Sequence, residues 1–391
     1  MSYDFDTVRE RRGTDSLKWD VPEKDLPMWV ADMDFPAAPE IVEAMEEKLQ
    51  EGIFGYSIIP DAWYDAYISW WKERHSFEIR KEWLVFCTGV IPALSSAVRK
   101  LTTPNEKVVL LTPVYNTFYN SIENNGRRPL ECPLLYENHA YSIDFSALEE
   151  ALSDPQTTMM FLCNPQNPEG IIWDKETLEK IGDLCKKHHV IVLADEIHCD
   201  LTEPGKAYVP FASVSETCQD ISITCIAPTK AFNLAGLQTA AVFASNPILR
   251  HKIRRALNTD EVAEANSFAA KAAIAAFTKG GKWLDELRSY VFENKKWVSE
   301  FLEKEVGELF PVSSDATYLL WIDARVLPNE GKGFAKFLRN ETGLFLMDGK
   351  HYGLGGDGFL RMNVACPRAL VMEGMERLRE GTEKYKAFYE R

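Results

Sequence analysis

The chain has 391 residues, 46% hydrophobic and 26% charged, the balance of an ordinary folded protein and not of a disordered or fibrous one. Its 59 acidic and 44 basic side chains leave a net charge of −15, which argues against nucleic acid or an anionic membrane surface as a partner. The length exceeds what one core usually fills, so two units are expected.

Eight cysteines (87, 132, 163, 185, 199, 218, 225 and 366) are scattered without a Cys-x-x-Cys pair. That predicts neither a disulfide framework nor a zinc or redox motif, and Cys163 and Cys225 read as small buried hydrophobes. Met1-Ser2-Tyr3-Asp4-Phe5-Asp6 has no basic n-region or apolar h-region, and no apolar run reaches the length of a membrane span. The expected location is the cytoplasm.

In chain order, residues 1–50 are expected to pack as an N-terminal segment on a C-terminal unit, with Arg9, Arg11 and Arg12 as a solvated arm or dimer contact. Trp63, Trp70 and Trp71 have helical spacing and read as core or interface. Strands are predicted at 84–88, 107–111, 158–163, 190–194, 221–226 and 239–244, with helices through Leu94, Val98 and Leu101 and through Leu178, Ile181, Leu184 and Cys185. His188 and His189 close the second helix beside Lys186 and Lys187, which suits a helix C-terminus better than a metal site. Such alternation predicts an α/β fold with a mostly parallel central sheet, helices on both faces, and a large domain over 51–280. From 281 the pattern changes to a long helix at 283–305, a strand at 318–322, a helix near 333–340 and a strand at 359–364. That is a smaller α+β domain over 281–391. Ligands of parallel sheets sit outside the carboxyl ends of the strands, and Gly89, Asp195 and Lys230 all fall at or just after predicted ends.

Lys230, in Ala227-Pro228-Thr229-Lys230-Ala231-Phe232-Asn233, and Asp195, ending an apolar run, are the two groups pyridoxal 5'-phosphate most needs: a Schiff-base lysine and a partner for the pyridinium nitrogen. Asn164-Pro165-Gln166-Asn167-Pro168-Glu169-Gly170 follows a strand; its prolines stiffen a turn that presents the Asn167 amide, a donor suited to the cofactor's phenolate oxygen. Thr88-Gly89-Val90-Ile91 opens a helix and offers backbone N–H groups to a phosphate, with the Thr229 hydroxyl beside them. Tyr115 follows the next strand end and suits a ring stacker. Arg361, a lone charge in an apolar strand, suits a bidentate grip on an α-carboxylate. Read singly, these residues are turn chemistry, packing punctuation, a surface aromatic and an interdomain ion pair; their combination favours a shared site. No metal is expected.

This constellation resembles fold-type-I pyridoxal-phosphate enzymes, the aspartate aminotransferase superfamily, over nearly the whole chain. The resemblance implies a three-layer transferase-like fold and a homodimer in which Tyr56 reaches the neighbouring subunit's phosphate. It departs from the aminotransferase pattern at His198, where a tyrosine is usual, and at Gln238, where an arginine is usual. Both changes resemble the MalY/PatB branch of cystathionine β-lyase-like C–S lyases, as do Leu26-Pro27-Met28-Trp29-Val30-Ala31-Asp32-Met33-Asp34-Phe35 and Asn363-Val364-Ala365-Cys366-Pro367. The implied activity is β-elimination from a sulfur amino acid, with Lys230 as base, Lys230, Tyr115 or Tyr56 as the proton donor to sulfur, and His198 tuning the cofactor. Trp29 and Asp32 join Arg361 and Asn167 at the substrate. The alternative is an aminotransferase, which shares every step up to the Cα carbanion. A cofactor-loaded regulator is disfavoured by the intact set of Asn167, Asp195, Lys230 and Arg361. A nucleotide-binding protein is disfavoured by the lack of a Walker or Gly-x-Gly-x-x-Gly loop.

Overall fold

The computed structural model describes residues 2–390. Seven strands form its main sheet: β1 (Leu84–Cys87), β2 (Lys107–Thr112), β3 (Arg128–Pro133), β4 (Thr157–Cys163), β5 (Ile191–Asp195), β6 (Ser222–Ile226) and β7 (Ala240–Phe243). They lie in the order β1-β7-β6-β5-β4-β2-β3. Strand β7 runs antiparallel to both its neighbours, and the other pairs are parallel. Both faces are covered, which is why the central strands are continuous apolar runs. Val108 and Leu110 enter one core with the helices Val90–Leu101 and Pro247–Thr259, while Val109 and Leu111 enter the opposite core with Lys175–Lys187.

Edge strand β3 is absent from the expectations above because Arg128, Pro129, Glu131 and Pro133 interrupt any apolar run. An edge tolerates them, since a proline there need not donate to a neighbour.

A second, antiparallel sheet has β8 (Phe310–Pro311), β9 (Leu319–Asp323), β10 (Met347–Asp348) and β11 (Phe359–Asn363), in the order β8-β9-β11-β10. Helices Gly281–Phe301, Phe334–Glu341 and Arg368–Tyr389 accompany it. The last of these also escaped the sequence reading. It buries Val371, Met375, Leu378 and Tyr385, but Gly374 and Gly381 weaken its helical signal.

The N-terminal segment is stitched to this second unit. Leu26–Pro27 pairs in parallel with Leu344–Phe345, and the N–H groups of Asn363 and Asp34 donate to the carbonyls of Met28 and Ala365. Helix Pro39–Glu51 packs instead on helix Ala269–Lys279. Trp63, Trp70 and Trp71 are all core.

The arginine arm needs correcting. Arg9 is exposed, but Arg11 pairs with Asp34 at 2.5 Å and Asp32 at 3.3 Å, and Arg12 donates to the carbonyls of Trp19, Val21 and Asp25. These two guanidiniums cross-link the entry segment, because its irregular backbone has carbonyls that no ladder satisfies.

Candidate active site

Parallel strands β1, β2, β4, β5 and β6 end on one side of the sheet, and a cavity of about 290 Å³ opens there. Thr88, Gly89, Val90, Ile91, Tyr115, Asn167, Asp195, His198, Thr229, Lys230 and Gln238 line it. Lys230 follows β6 and directs its amine to the Ala31 carbonyl at 2.7 Å. Burial lowers its pKa to about 8, helped by the positive charge of Arg361. Asp195 ends β5 and accepts the Ile197 N–H at 3.1 Å; burial raises it to about 6. A buried carboxyl of this kind calls for a cationic partner in the cavity. His198 is pushed down to about 3 by burial and by the charges of Lys230 and Arg361, so its ring is neutral in any working buffer, and its buried Nδ1 has no partner.

Arg361 stands on β11, in the second unit. Its Nη1 donates to Asn167 Oδ1 at 3.2 Å and its Nη2 to the Trp29 carbonyl at 3.0 Å, while Nε has no partner. The first contact fixes the Asn167 amide: with Oδ1 occupied, the Nδ2 donors remain for the cavity. The Asn167 turn is held from both sides. Gln166 Nε2 donates to the carbonyls of Leu111 and Pro113, and the N–H groups of Asp315 and Ala316 donate to the Gly170 carbonyl. Gly170 has φ +76°, and a Cβ there would stand 2.1 Å from Ser314 Oγ, so the close approach of the two units requires glycine.

Residues 29–35 form a strap along the cavity, and every carbonyl but that of Asp34 is taken by a side chain. Arg361 holds Trp29 O. Asn363 Nδ2 holds Val30 O at 2.6 Å and Asp32 O at 2.5 Å, and Lys230 and Tyr318 share Ala31 O. Asn233 holds Met33 O and Phe35 O and accepts the Met33 N–H. Asn233 sits at φ +57°, a conformation asparagine tolerates better than most residues.

At the other end of the cavity, Gly89 is the N-cap of helix Val90–Leu101 and supplies no side-chain acceptor to its first turn. Pro92 has no N–H, so the free donors are those of Gly89, Val90 and Ile91, at a helix start of the kind that binds phosphate. The lysine, the buried carboxyl that no cation among the described residues pairs, the amide donor and the anion-seeking helix end are the set of groups pyridoxal phosphate needs, in one cavity.

Four expected site residues do not line this cavity: Arg361, which meets it through Asn167, and Tyr56, Trp29 and Asp32. Tyr56 is fully exposed and lines a separate groove with Gly236, Leu237 and residues 264–268. The Trp29 indole stacks on Phe345 at 4.8 Å, so its carbonyl, and not its ring, meets Arg361. The Asp32 carboxylate pairs with Arg11 and with Lys18 at 3.7 Å, which fixes the strap and keeps this group out of the cavity lining. Ala31, Asn363 and Tyr318 were not anticipated. Only Asn363 carried a signal, since a spacing of two puts it on the face of β11 that bears Arg361. Outside the cavity, His75, Cys199 and Asp200 bring metal-ligand atoms within 4.8 Å of one another, but Asp200 Oδ1 already accepts from Trp70 and contacts His75 Nε2, both at 2.9 Å.

Glu169 has both carboxyl oxygens buried without a partner, and burial raises its pKa well above the ordinary value. A carboxyl raised in the folded state opposes folding increasingly as pH climbs from its unfolded value, about 4.3, towards its folded one. Glu169→Gln removes that titration. Relative to wild type, the variant should gain stability as pH rises above about 4.3, by about 1 kcal/mol or more. Melting curves at a series of pH values check this; parallel pH profiles for the two proteins would refute it.

The profile of the family aminotransferase class I and II matches residues 26–378. Cystathionine beta-lyase PatB of Bacillus subtilis is 42% identical over 381 residues, 96% of this chain and 98% of that one. Protein MalY of Escherichia coli is 33% identical, over 95% of this chain and 97% of that one. Among solved structures, cystalysin from Treponema denticola, which contains a pyridoxal 5'-phosphate cofactor, matches with a TM-score of 0.95 at 34% identity, over 98% of this chain and all of that one. A sheet whose strand ends gather a lysine, an aspartate and an anion-seeking helix start thus finds its counterparts across the full chain, which belongs to the aminotransferase class I and II family of pyridoxal-phosphate-dependent enzymes.

Proposed function

We propose that this enzyme is a C–S β-lyase that cleaves L-cystathionine or S-substituted L-cysteines by β-elimination, yielding a thiol, pyruvate and ammonia. The observation that carries the reading is the meeting of Lys230, Asp195 and Asn167 in one cavity with Arg361 against its wall. The neutral Gln238 and His198, which also line it, favour the lyase over the aminotransferase. So does the similarity to PatB and MalY.

Bound pyridoxal phosphate supplies a carbon that bonds the substrate amine and a conjugated ring that accepts the electron pair left at Cα. Everything else falls to the chain. Arg361 takes the α-carboxylate with the donors it does not spend on Asn167 and Trp29, and so sets which Cα bond faces Lys230. Lys230, substantially neutral near its lowered pKa of about 8, removes the Cα proton. Asp195 would hold the proton on the ring nitrogen, and Asn167 would donate to the phenolate oxygen, with the neutral His198 in the same lining. Gly89, Val90, Ile91 and Thr229 would receive the phosphate. The electron pair from Cα then forms the Cα–Cβ double bond and expels sulfur as a thiolate. Lys230, now carrying the extra proton, or the Tyr115 hydroxyl protonates it, and hydrolysis of the three-carbon fragment gives pyruvate and ammonia.

The same reading makes the working unit a homodimer. Ile53, Phe54, Tyr56 and Ile58 form an exposed apolar run beside Gly236 and Leu237, which suits a segment reaching a partner's phosphate end through Tyr56. Residues 51–280 act as the cofactor-binding unit and 281–391 as the unit that brings Arg361. Eight free, buried cysteines fit a reducing, cytoplasmic setting. Among the described residues no helix is long and apolar enough to cross a membrane.

The test is to incubate the purified holoenzyme with L-cystathionine and no keto acid. Pyruvate and free thiol should appear in equal amounts. Amino transfer that requires an added keto acid, with no pyruvate, would leave the family intact and overturn the lyase.

A further inference from the structure

The Lys230 amine and the Tyr318 hydroxyl donate to the same oxygen, the Ala31 carbonyl, at 2.7 and 2.9 Å. Tyr318 precedes β9 in the second unit, is 1% exposed, and sets its ring edge-on to His198 at 6.2 Å. Its buried hydroxyl is spent on the Ala31 carbonyl. The oxygen itself is fixed, since Asn363 grips the carbonyls on either side of it. A carbonyl has two lone pairs, and both are in use here. Among the described residues Ala31 O is the one acceptor that the Lys230 amine meets. A neutral amine loses nothing by this, because it keeps its lone pair for the cavity. An ammonium brings three N–H groups to a place where the protein offers one acceptor, and shares that acceptor with a second donor.

We propose that Tyr318 is a positioning residue for Lys230, acting through the Ala31 carbonyl, which is the rest position of the lysine amine while substrate occupies the cofactor. The proposal rests on the reading of Lys230 as the base. Two donors on one oxygen weaken each other, and the hydroxyl hydrogen of Tyr318 points at the oxygen that an ammonium would otherwise hold alone. Tyr318 thus keeps the resting amine neutral and in one place. When Lys230 takes the Cα proton, its added N–H finds no protein acceptor, which favours passing that proton on to the departing sulfur.

Tyr318→Phe deletes the hydroxyl and keeps the ring. In cofactor-free protein, competitive acetylation across pH, read on the Lys230 peptide by mass spectrometry, reports the titration of this amine without any turnover. Its midpoint should rise by about half a pH unit or more, because the ammonium gains sole use of Ala31 O. In the holoenzyme the acid limb of kcat should rise by the same amount, with KM changed less than about twofold. Tyr318→Leu, which also lacks the hydroxyl, should show the same acetylation shift even if its packing loss lowers the melting temperature. An unchanged midpoint in either folded variant overturns the proposal. A shifted midpoint, with Lys230→Ala still a competent lyase, would keep the contact and remove Lys230 as base, so the two failures are distinguishable.

Discussion

Lys230→Ala should lower pyruvate formation from L-cystathionine by at least about 10³-fold, since general base catalysis alone contributes about 10²- to 10⁴-fold. The loss should fall on kcat, because Arg361 and Asn167 still grip the substrate. The fold should survive: Ala31 O loses one donor and keeps Tyr318, while Asn363 still holds the carbonyls beside it. Two further measurements identify the missing group. Borohydride should fix the cofactor to the wild-type Lys230 peptide and to no peptide of the variant. A small primary amine in the buffer should restore part of the rate, since the deleted side chain leaves room in the cavity for a soluble base. In wild type the reaction should accelerate as pH rises through about 8, because the ammonium form has no lone pair with which to take the Cα proton. A variant that retained wild-type turnover would sink the proposed base and the chemistry built on it.

The cavity floor was legible in the sequence because it sits at strand ends. Asp195 and Lys230 each close or follow an apolar run, and runs buried on two faces are the plainest signal a parallel sheet has. The Asn167 turn announced itself through its paired Asn-Pro steps. The strap did not, and the reason is physical. What residues 29–35 contribute is main-chain carbonyls, and every residue has one, so Ala31 carries no mark of its role. The partners of those carbonyls, Arg361, Asn363, Asn233 and Tyr318, lie some 200 to 330 positions away, where no local period can reach. Asp32 and Arg11 mislead for a related reason: an acid near a site reads as substrate chemistry and an arginine near a terminus reads as solvated, until the fold brings them within 3.3 Å. Tyr56 is a third kind of case. Its place is defined by a surface, and one chain shows it as an exposed ring.

Arg361 carries the second large effect, and its substitutions separate grip from charge. Arg361→Ala should raise KM for L-cystathionine by about 10²-fold or more, the worth of a lost bidentate, charge-assisted pair at about 1.5 to 3 kcal/mol per bond. It should also act on Lys230. The guanidinium charge is the second cause, after burial, of the lowered lysine pKa, so its removal should let that value climb from about 8. The acid limb of the rate profile then moves to higher pH, and at neutral pH the variant loses kcat as well as affinity. Freed of Arg361 Nη1, Asn167 Oδ1 loses the contact that fixes the amide, and Trp29 O loses its donor. Arg361→Lys keeps a positive charge near the wall but cannot fork. It should therefore raise KM while leaving the acid limb near its wild-type position. The pair of variants divides what one guanidinium does: the fork holds the substrate carboxylate, and the charge holds Lys230 neutral enough to act. If Arg361→Ala left KM unchanged, the carboxylate would have to be held elsewhere, and Arg361 would be left to hold the Asn167 amide and the Trp29 carbonyl.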